Sequence, residues 1–215
     1  MDWIWVIILA VVQGVTEFLP ISSTAHLVIG GHLLEHFFGI EIASDSVRLI
    51  VVLHAGSLLA IIVYYRRTLI DLVRRPEQRR MIPLIILATI PIALIGGFFM
   101  GPLEGYFSNL WVSAAGLCLT AVMLLAVHDS RTDGDRTELS RITWRQAVAV
   151  GLIQAIAILP GISRSGSTIS LATRAGIRAD AAASFSFLLA LPALIGAVII
   201  KMPDIINTQP GPAGG

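Results

Sequence analysis

The chain has 215 residues, 55% of them hydrophobic and only 13% charged, with a mean hydropathy of +0.82. Soluble domains carry about 25% charged residues, so this is an integral membrane protein; a net charge of +1 without a basic, aromatic-interleaved stripe excludes nucleic acid as a partner. Cys118 is the single cysteine, which excludes disulfides and cysteine-based metal sites and reads as a small buried hydrophobe.

The N-terminus, Met1-Asp2-Trp3, has no basic n-region and no cleavage pattern after it, and is expected to be a retained membrane segment. Residues 3–19 are apolar but contain Gln13, Thr16 and Glu17, and they run into Pro20 and Ser22-Ser23-Thr24. A crossing needs about 20 apolar residues, so this stretch is short for a clean span. Residues 24–39 resume a helical pattern that Ser23 or Thr24 can cap. A broken pair of half-helices, entering and leaving on one side, fits better than one crossing.

Residues 46–65 are a long apolar segment interrupted by Arg48 and His54, the latter read as a packed polar residue. The loop that follows carries Arg66, Arg67, Arg74, Arg75, Arg79 and Arg80 against Asp71 and Glu77, which places it in the cytoplasm. Ordinary spans are expected at about 82–101 and 109–128. The connection 129–143 is solvated and mixed in charge: Asp129, Asp133, Asp135 and Glu138 face Arg131, Arg136 and Arg141. His32 and His36 flank a membrane edge and are expected to be solvated, and Arg174 and Arg178 mark a cytoplasmic return.

The second half then repeats the first. Trp3 and Trp144, Gln13 and Gln154, and Ser22 and Ser163 share one offset of 141 residues, with a one-residue slip at Pro20 and Pro160. Three spans between the copies turn the second upside down, so the expected fold is one all-α membrane domain over 1–215. It is an inverted-topology repeat, with copy one at about 1–128 and copy two at about 144–215. Two re-entrant broken-helix hairpins then meet near the midplane and bring Glu17 to Arg164. By the same offset two spans of the second copy are missing before Gly215, as in a truncated chain or a short form completed by a partner.

The polar residues gather at the breaks. Gln13 and Glu17 are four apart and share a helix face. A carboxylate in an apolar run is costly and marks a functional site, with a structural pairing to an arginine as the alternative. Ser22, Ser23 and Thr24 open a half-helix, where free amides favour anions, and His26 follows one turn on. A serine beside a histidine and a carboxylate is the minimum set for an activated nucleophile. In the second break Gly161 lets the backbone approach a ligand, while Ser163, Arg164, Ser165, Ser167 and Thr168 form an oxyanion clamp. Clamp, nucleophile and carboxylate together are what phosphoryl transfer requires. Burial in the membrane implies a phosphate or diphosphate on a lipid tail.

At these residues the sequence resembles the undecaprenyl-diphosphatase family, the bacitracin-resistance phosphatases of bacterial membranes. Gln13-Gly14-Val15-Thr16-Glu17 matches the family's Glu/Gln-x-x-x-Glu pattern and continues through Phe18-Leu19-Pro20-Ile21-Ser22-Ser23-Thr24-Ala25-His26. The Pro-Gly-x-Ser-Arg-Ser-x-x-Thr motif runs through Pro160-Gly161-Ile162-Ser163-Arg164-Ser165-Gly166-Ser167-Thr168. The resemblance implies hydrolysis of undecaprenyl diphosphate to the monophosphate in the bacterial inner membrane, in a multi-pass protein. It further implies a divalent cation, Mg2+ or Ca2+, near Gln13 and Glu17, with Ser23 or His26 as nucleophile. Glu17 with His26 would handle protons or metal, and Arg164 with its serines would hold the diphosphate. The implied partners are the lipid diphosphate and membrane lipids, with a homo-oligomer as an open option. A transporter or flippase for a polyprenyl phosphate is the alternative, because broken-helix repeats are also a transporter architecture.

Overall fold

The computed structural model describes residues 3–39, 46–128 and 137–207. Met1, Asp2, the charged stretch with Asp129, Arg131, Asp133, Asp135 and Arg136, the tail from Thr208, and the side chain of Arg48 lie outside the described residues. The described chain is helical: α1 Trp3–Thr16, α2 Ser23–Phe38, α3 Ser46–Tyr64, α4 Arg66–Arg74, α5 Pro76–Arg79, α6 Met81–Glu104, α7 Leu110–His128, α8 Trp144–Ile156, α9 Arg164–Arg174 and α10 Ala179–Asn207. Among the described residues the sole β-type pairing is one bridge between Thr137 and Ile177.

Three stretches are long and apolar enough to cross a bilayer, Pro76–Phe99, Leu110–Val127 and Ala179–Lys201, with mean hydropathies of 2.4, 2.2 and 2.3. A fourth is α3 joined to α4, which turns through 63° at Tyr65. The protein is an all-helical membrane protein. At 1.5 Å per residue, α1 with 14 residues, α8 with 13 and α9 with 11 reach only about 16–21 Å, short of a hydrocarbon core of about 30 Å.

The arginine-rich segment expected as a loop is instead the helices α4 and α5. Leu69 and Leu72 turn inward onto the core while the arginines stay outside, so an amphipathic pattern at helical spacing orders what charge alone suggested was a connection. Cys118 is also corrected: it is exposed on the outer face of α7. On a helix apolar enough to cross a bilayer, an exposed apolar thiol is as comfortable as in a core. Trp3, Phe98, Trp111, Leu125 and Ile199 are exposed for the same reason.

The main core gathers Ile61, Met81, Ala88, Ala147, Val150, Ala172, Phe185 and Leu188 from α3, α6, α8, α9 and α10. A smaller cluster, Leu9, Leu27 and Leu34, packs α1 on α2 and reaches Leu49 and Leu53 of α3. Without hydrophobic pressure between helices in lipid, close approach depends on small residues. Gly151 of α8 lies so near Ala88 of α6 that a Cβ would overlap the Ala88 backbone. Thr143 and Gln146 close a capping box at the start of α8, and Gln146 Nε2 also donates to the Ala175 carbonyl at 2.8 Å, tying α8 to the end of α9.

Candidate active site

Two of the breaks between helices carry the polar motifs, one between α1 and α2 and one between α8 and α9. Each ends on a serine that caps the next helix. Ser22, at a φ of 64°, accepts from the Ala25 amide at 3.5 Å, and Ser163 accepts from the Gly166 amide at 3.0 Å. The cap of α2 is therefore Ser22, neither Ser23 nor Thr24, and this leaves the Ser23 hydroxyl available for other partners.

The second break is fixed by α7. Gly161, at a φ of 91°, is pressed against the Ser113 carbonyl and Gly116, where a Cβ on either glycine would collide with backbone. Thr120 Oγ1 donates to the Gly161 carbonyl at 3.0 Å and accepts from the Ser163 amide at 2.9 Å. The breaks are fastened to each other as well. Ser165 Oγ donates to the Leu19 carbonyl at 3.0 Å, and the first turn of α9 abuts the Pro20 carbonyl at Gly166.

At this junction Arg164 Nη2 donates to Glu17 Oε1 in an ion pair between two largely buried side chains. The other carboxylate oxygen, Oε2, accepts from Ser23 Oγ at 2.5 Å and from Gln13 Nε2 at 3.0 Å. His54 Nε2 lies 3.7 Å from the same oxygen. Glu17, Ser23, His54 and Arg164 line a cavity of about 300 Å³, while Gln13 is buried behind Glu17 and is absent from the lining. The cavity's polar end is Thr16, Glu17, Ser22, Ser23, Thr24, His54, Ser163, Arg164 and Ser165, and its walls are mostly apolar side chains from α3, α6 and α10 such as Ile50, Ile92, Ala93, Pro192 and Ala197.

Not every residue expected at the site faces this cavity. His26 turns its Nδ1 to the Ser22 carbonyl at 2.8 Å and is absent from the lining. Ser167 and Thr168 donate to the Arg164 carbonyl at 3.2 and 2.6 Å, and Thr168 also pairs with Ser186, so both brace the first turn of α9. Gly161 belongs to the contact with α7. Conversely, His54 lines the cavity although the sequence suggested a merely packed polar residue. Its one signal was a histidine in the middle of an apolar span.

A resident divalent cation does not fit the donors present. Glu17 is the sole carboxylate in the cluster, and Arg164, Ser23 and Gln13 already occupy its oxygens. The Gln13 Oε1 oxygen is buried without a partner, but one amide oxygen is a weak ligand set for a hard cation. Among the described residues no group of three or more His, Cys, Asp or Glu could hold a metal.

Comparison with known proteins gives this geometry a family. The model of the family described as bacitracin resistance protein BacA matches residues 6–213. Undecaprenyl-diphosphatase 4 of Bacillus thuringiensis subsp. konkukian is 38% identical over 207 residues, covering 96% of this chain and 76% of the relative. An undecaprenyl-diphosphatase of Acidothermus cellulolyticus is 39% identical, with 97% and 78% covered. One of Methanobrevibacter smithii is 35% identical, with 95% and 78% covered. The polar cluster of Gln13, Glu17, Ser23 and Arg164 falls within the matched residues, and the chain belongs to the bacitracin resistance protein BacA family.

Proposed function

We propose that the chain hydrolyses undecaprenyl diphosphate to undecaprenyl phosphate and inorganic phosphate in the bacterial inner membrane, recycling the lipid carrier of cell-wall synthesis. The observation that carries the reading is the pairing of Ser23 Oγ and Arg164 on opposite oxygens of Glu17, at the polar end of a largely apolar cavity. A polar floor with apolar walls suits a diphosphate on an isoprenyl tail. The relatives' names point the same way.

In this reading Arg164 and the first amides of α9 take the terminal phosphate, with the Ser163 and Ser165 hydroxyls beside them. Ser23 Oγ attacks the terminal phosphorus as its proton passes to Glu17 Oε2. An oxygen–phosphorus bond forms, the bond from that phosphorus to the bridging oxygen breaks, and the lipid monophosphate leaves. Water then hydrolyses the phosphoserine, releasing phosphate and restoring the hydroxyl. Ser23 is preferred to His26 as nucleophile because its hydroxyl meets Glu17 and the cavity, whereas the His26 ring is turned to the Ser22 carbonyl. A divalent cation enters this reading with the substrate, where it would neutralise charge on the diphosphate oxygens.

The breaks are proposed as re-entrant hairpins of an inverted repeat. The short lengths of α1 and α8, and the matching caps at Ser22 and Ser163, support it. The start of α10 adjoins the arginine-rich α4 and α5, while its later half, from Pro192 to Lys201, lines the cavity. By the positive-inside rule substrate then enters from the outer half of the membrane.

The test is release of phosphate from undecaprenyl diphosphate by purified protein in detergent, with loss in Arg164→Ala and Glu17→Ala. Full activity in both variants overturns the site. No release by the unaltered chain, together with uptake of lipid phosphate into proteoliposomes, would favour the transporter reading.

A further inference from the structure

His54 has a task that the hydrolytic scheme leaves open. In the structure Arg164 is committed to Glu17 Oε1, yet the same guanidinium must turn to a phosphate when substrate arrives. Withdrawing it strands a carboxylate that is only 7% exposed, and a buried charge deprived of its partner is strongly disfavoured. The remaining donors, Ser23 and Gln13, are neutral and leave the charge uncompensated while substrate binds, before any proton is transferred.

Among the described residues, His54 is the one group besides Arg164 that can carry a positive charge within ion-pair reach of that carboxylate, with Nε2 at 3.7 Å from Oε2. Its ring is fixed in register. Nδ1 lies 2.7 Å from the Ile50 carbonyl one turn back along α3, and a carbonyl only accepts, so Nδ1 carries a proton and Nε2 is the nitrogen directed at Glu17. Its side chain is 18% exposed at the cavity wall, close enough to the pair to respond to what enters. With Nε2 also protonated, so that both ring nitrogens donate, a small closing movement turns the 3.7 Å approach into a charge-assisted hydrogen bond to Glu17.

We propose that His54 is a positioning residue that takes over the Glu17 carboxylate when an incoming phosphate draws Arg164 away. The inference rests on the proposed reading that Arg164 binds phosphate. His54 touches no reacting atom. It lowers the cost of opening the Arg164–Glu17 pair, and so acts on binding through Glu17.

The experiment measures binding of undecaprenyl phosphate in detergent micelles to the full chain and to His54→Leu, His54→Asn, His54→Gln, Glu17→Gln and Glu17→Gln/His54→Leu. Asparagine can still donate to the Ile50 carbonyl but is too short for Glu17, and glutamine places an amide donor where Nε2 was. The expected result is binding weakened about tenfold or more in His54→Leu and His54→Asn, and within about threefold of the unaltered chain in His54→Gln. In the Glu17→Gln background the histidine change should add nothing, because no charge is left to hand over. Unchanged binding in His54→Asn, or an equal loss with and without the Glu17 charge, overturns the inference. Absence of phosphate release from undecaprenyl diphosphate by the unaltered chain overturns the hydrolytic reading instead, so the two failures are separable.

Discussion

Glu17 and Arg164 form an ion pair across the two helix breaks, one side chain from each, with both largely withdrawn from solvent. Neither charge is sustainable alone at this depth, so the pair is also a fold constraint. Removing one member should cost more stability than removing both. Arg164→Ala is expected to lower the thermal midpoint in detergent by more than Arg164→Ala/Glu17→Gln does, with a difference of about 2–4 kcal/mol. Midpoints in the opposite order would show that the pair contributes nothing to folding.

Ser23→Ala should reduce phosphate release by at least about 1,000-fold while leaving the melting profile near that of the unaltered chain. The hydroxyl is a donor to Glu17, and α2 keeps its cap because Ser22 supplies it. Residual release above about a tenth of normal would move the nucleophile elsewhere.

His26 separates shape from chemistry. Its Nδ1 meets the carbonyl of Ser22, a residue held at positive φ. Asparagine can mimic Nδ1, so His26→Asn should keep activity within about tenfold of normal while His26→Ala falls well below it. Equal loss in both variants, measured as phosphate release, would assign the other ring nitrogen a direct part.

Two glycines at positive φ give a matched contrast. Gly161→Ala meets the Ser113 carbonyl and Gly116, whereas Gly176→Ala, at a φ of 86°, meets open space. The second should cost about 1–2 kcal/mol of backbone strain. The first adds a collision that moves the break carrying Arg164, and should lower the thermal midpoint further and abolish phosphate release. Thermal unfolding of the purified variants checks the order.

The sequence made the site legible where its polarity conflicted with its surroundings. Glu17 and Arg164 stood out against apolar runs, and the common offset of the Trp, Gln and Ser pairs led to the expectation that they would meet. His54 was missed because α3 has no amphipathic stripe. Its lipid side and its core side are equally apolar, so the pattern does not say which way a residue turns. Cys118 on α7 was misjudged for the same reason, as apolarity in a membrane helix is no measure of burial. The arginines of α4 hid the opposite case, a helix with Leu69 and Leu72 on its inner side beneath a charged surface. Ser167 and Thr168 looked like ligands because hydroxyls serve phosphates and helix turns alike, and only the placement of the Arg164 carbonyl distinguishes the two uses.

Ser113, Gly116 and Thr120 are the buried points at which α7 grips the second break. They recur at helical spacing along one line of a helix that also packs on α2 but is exposed around much of its remaining circumference. Tolerance to substitution along α7 should therefore be sharply one-sided. Exchange of one oily residue for another around most of its circumference would pass unnoticed, whereas one added methyl group at Gly116 would displace the arginine in a different helix. A span without a charge of its own thus sets the aim of the charge that meets the substrate.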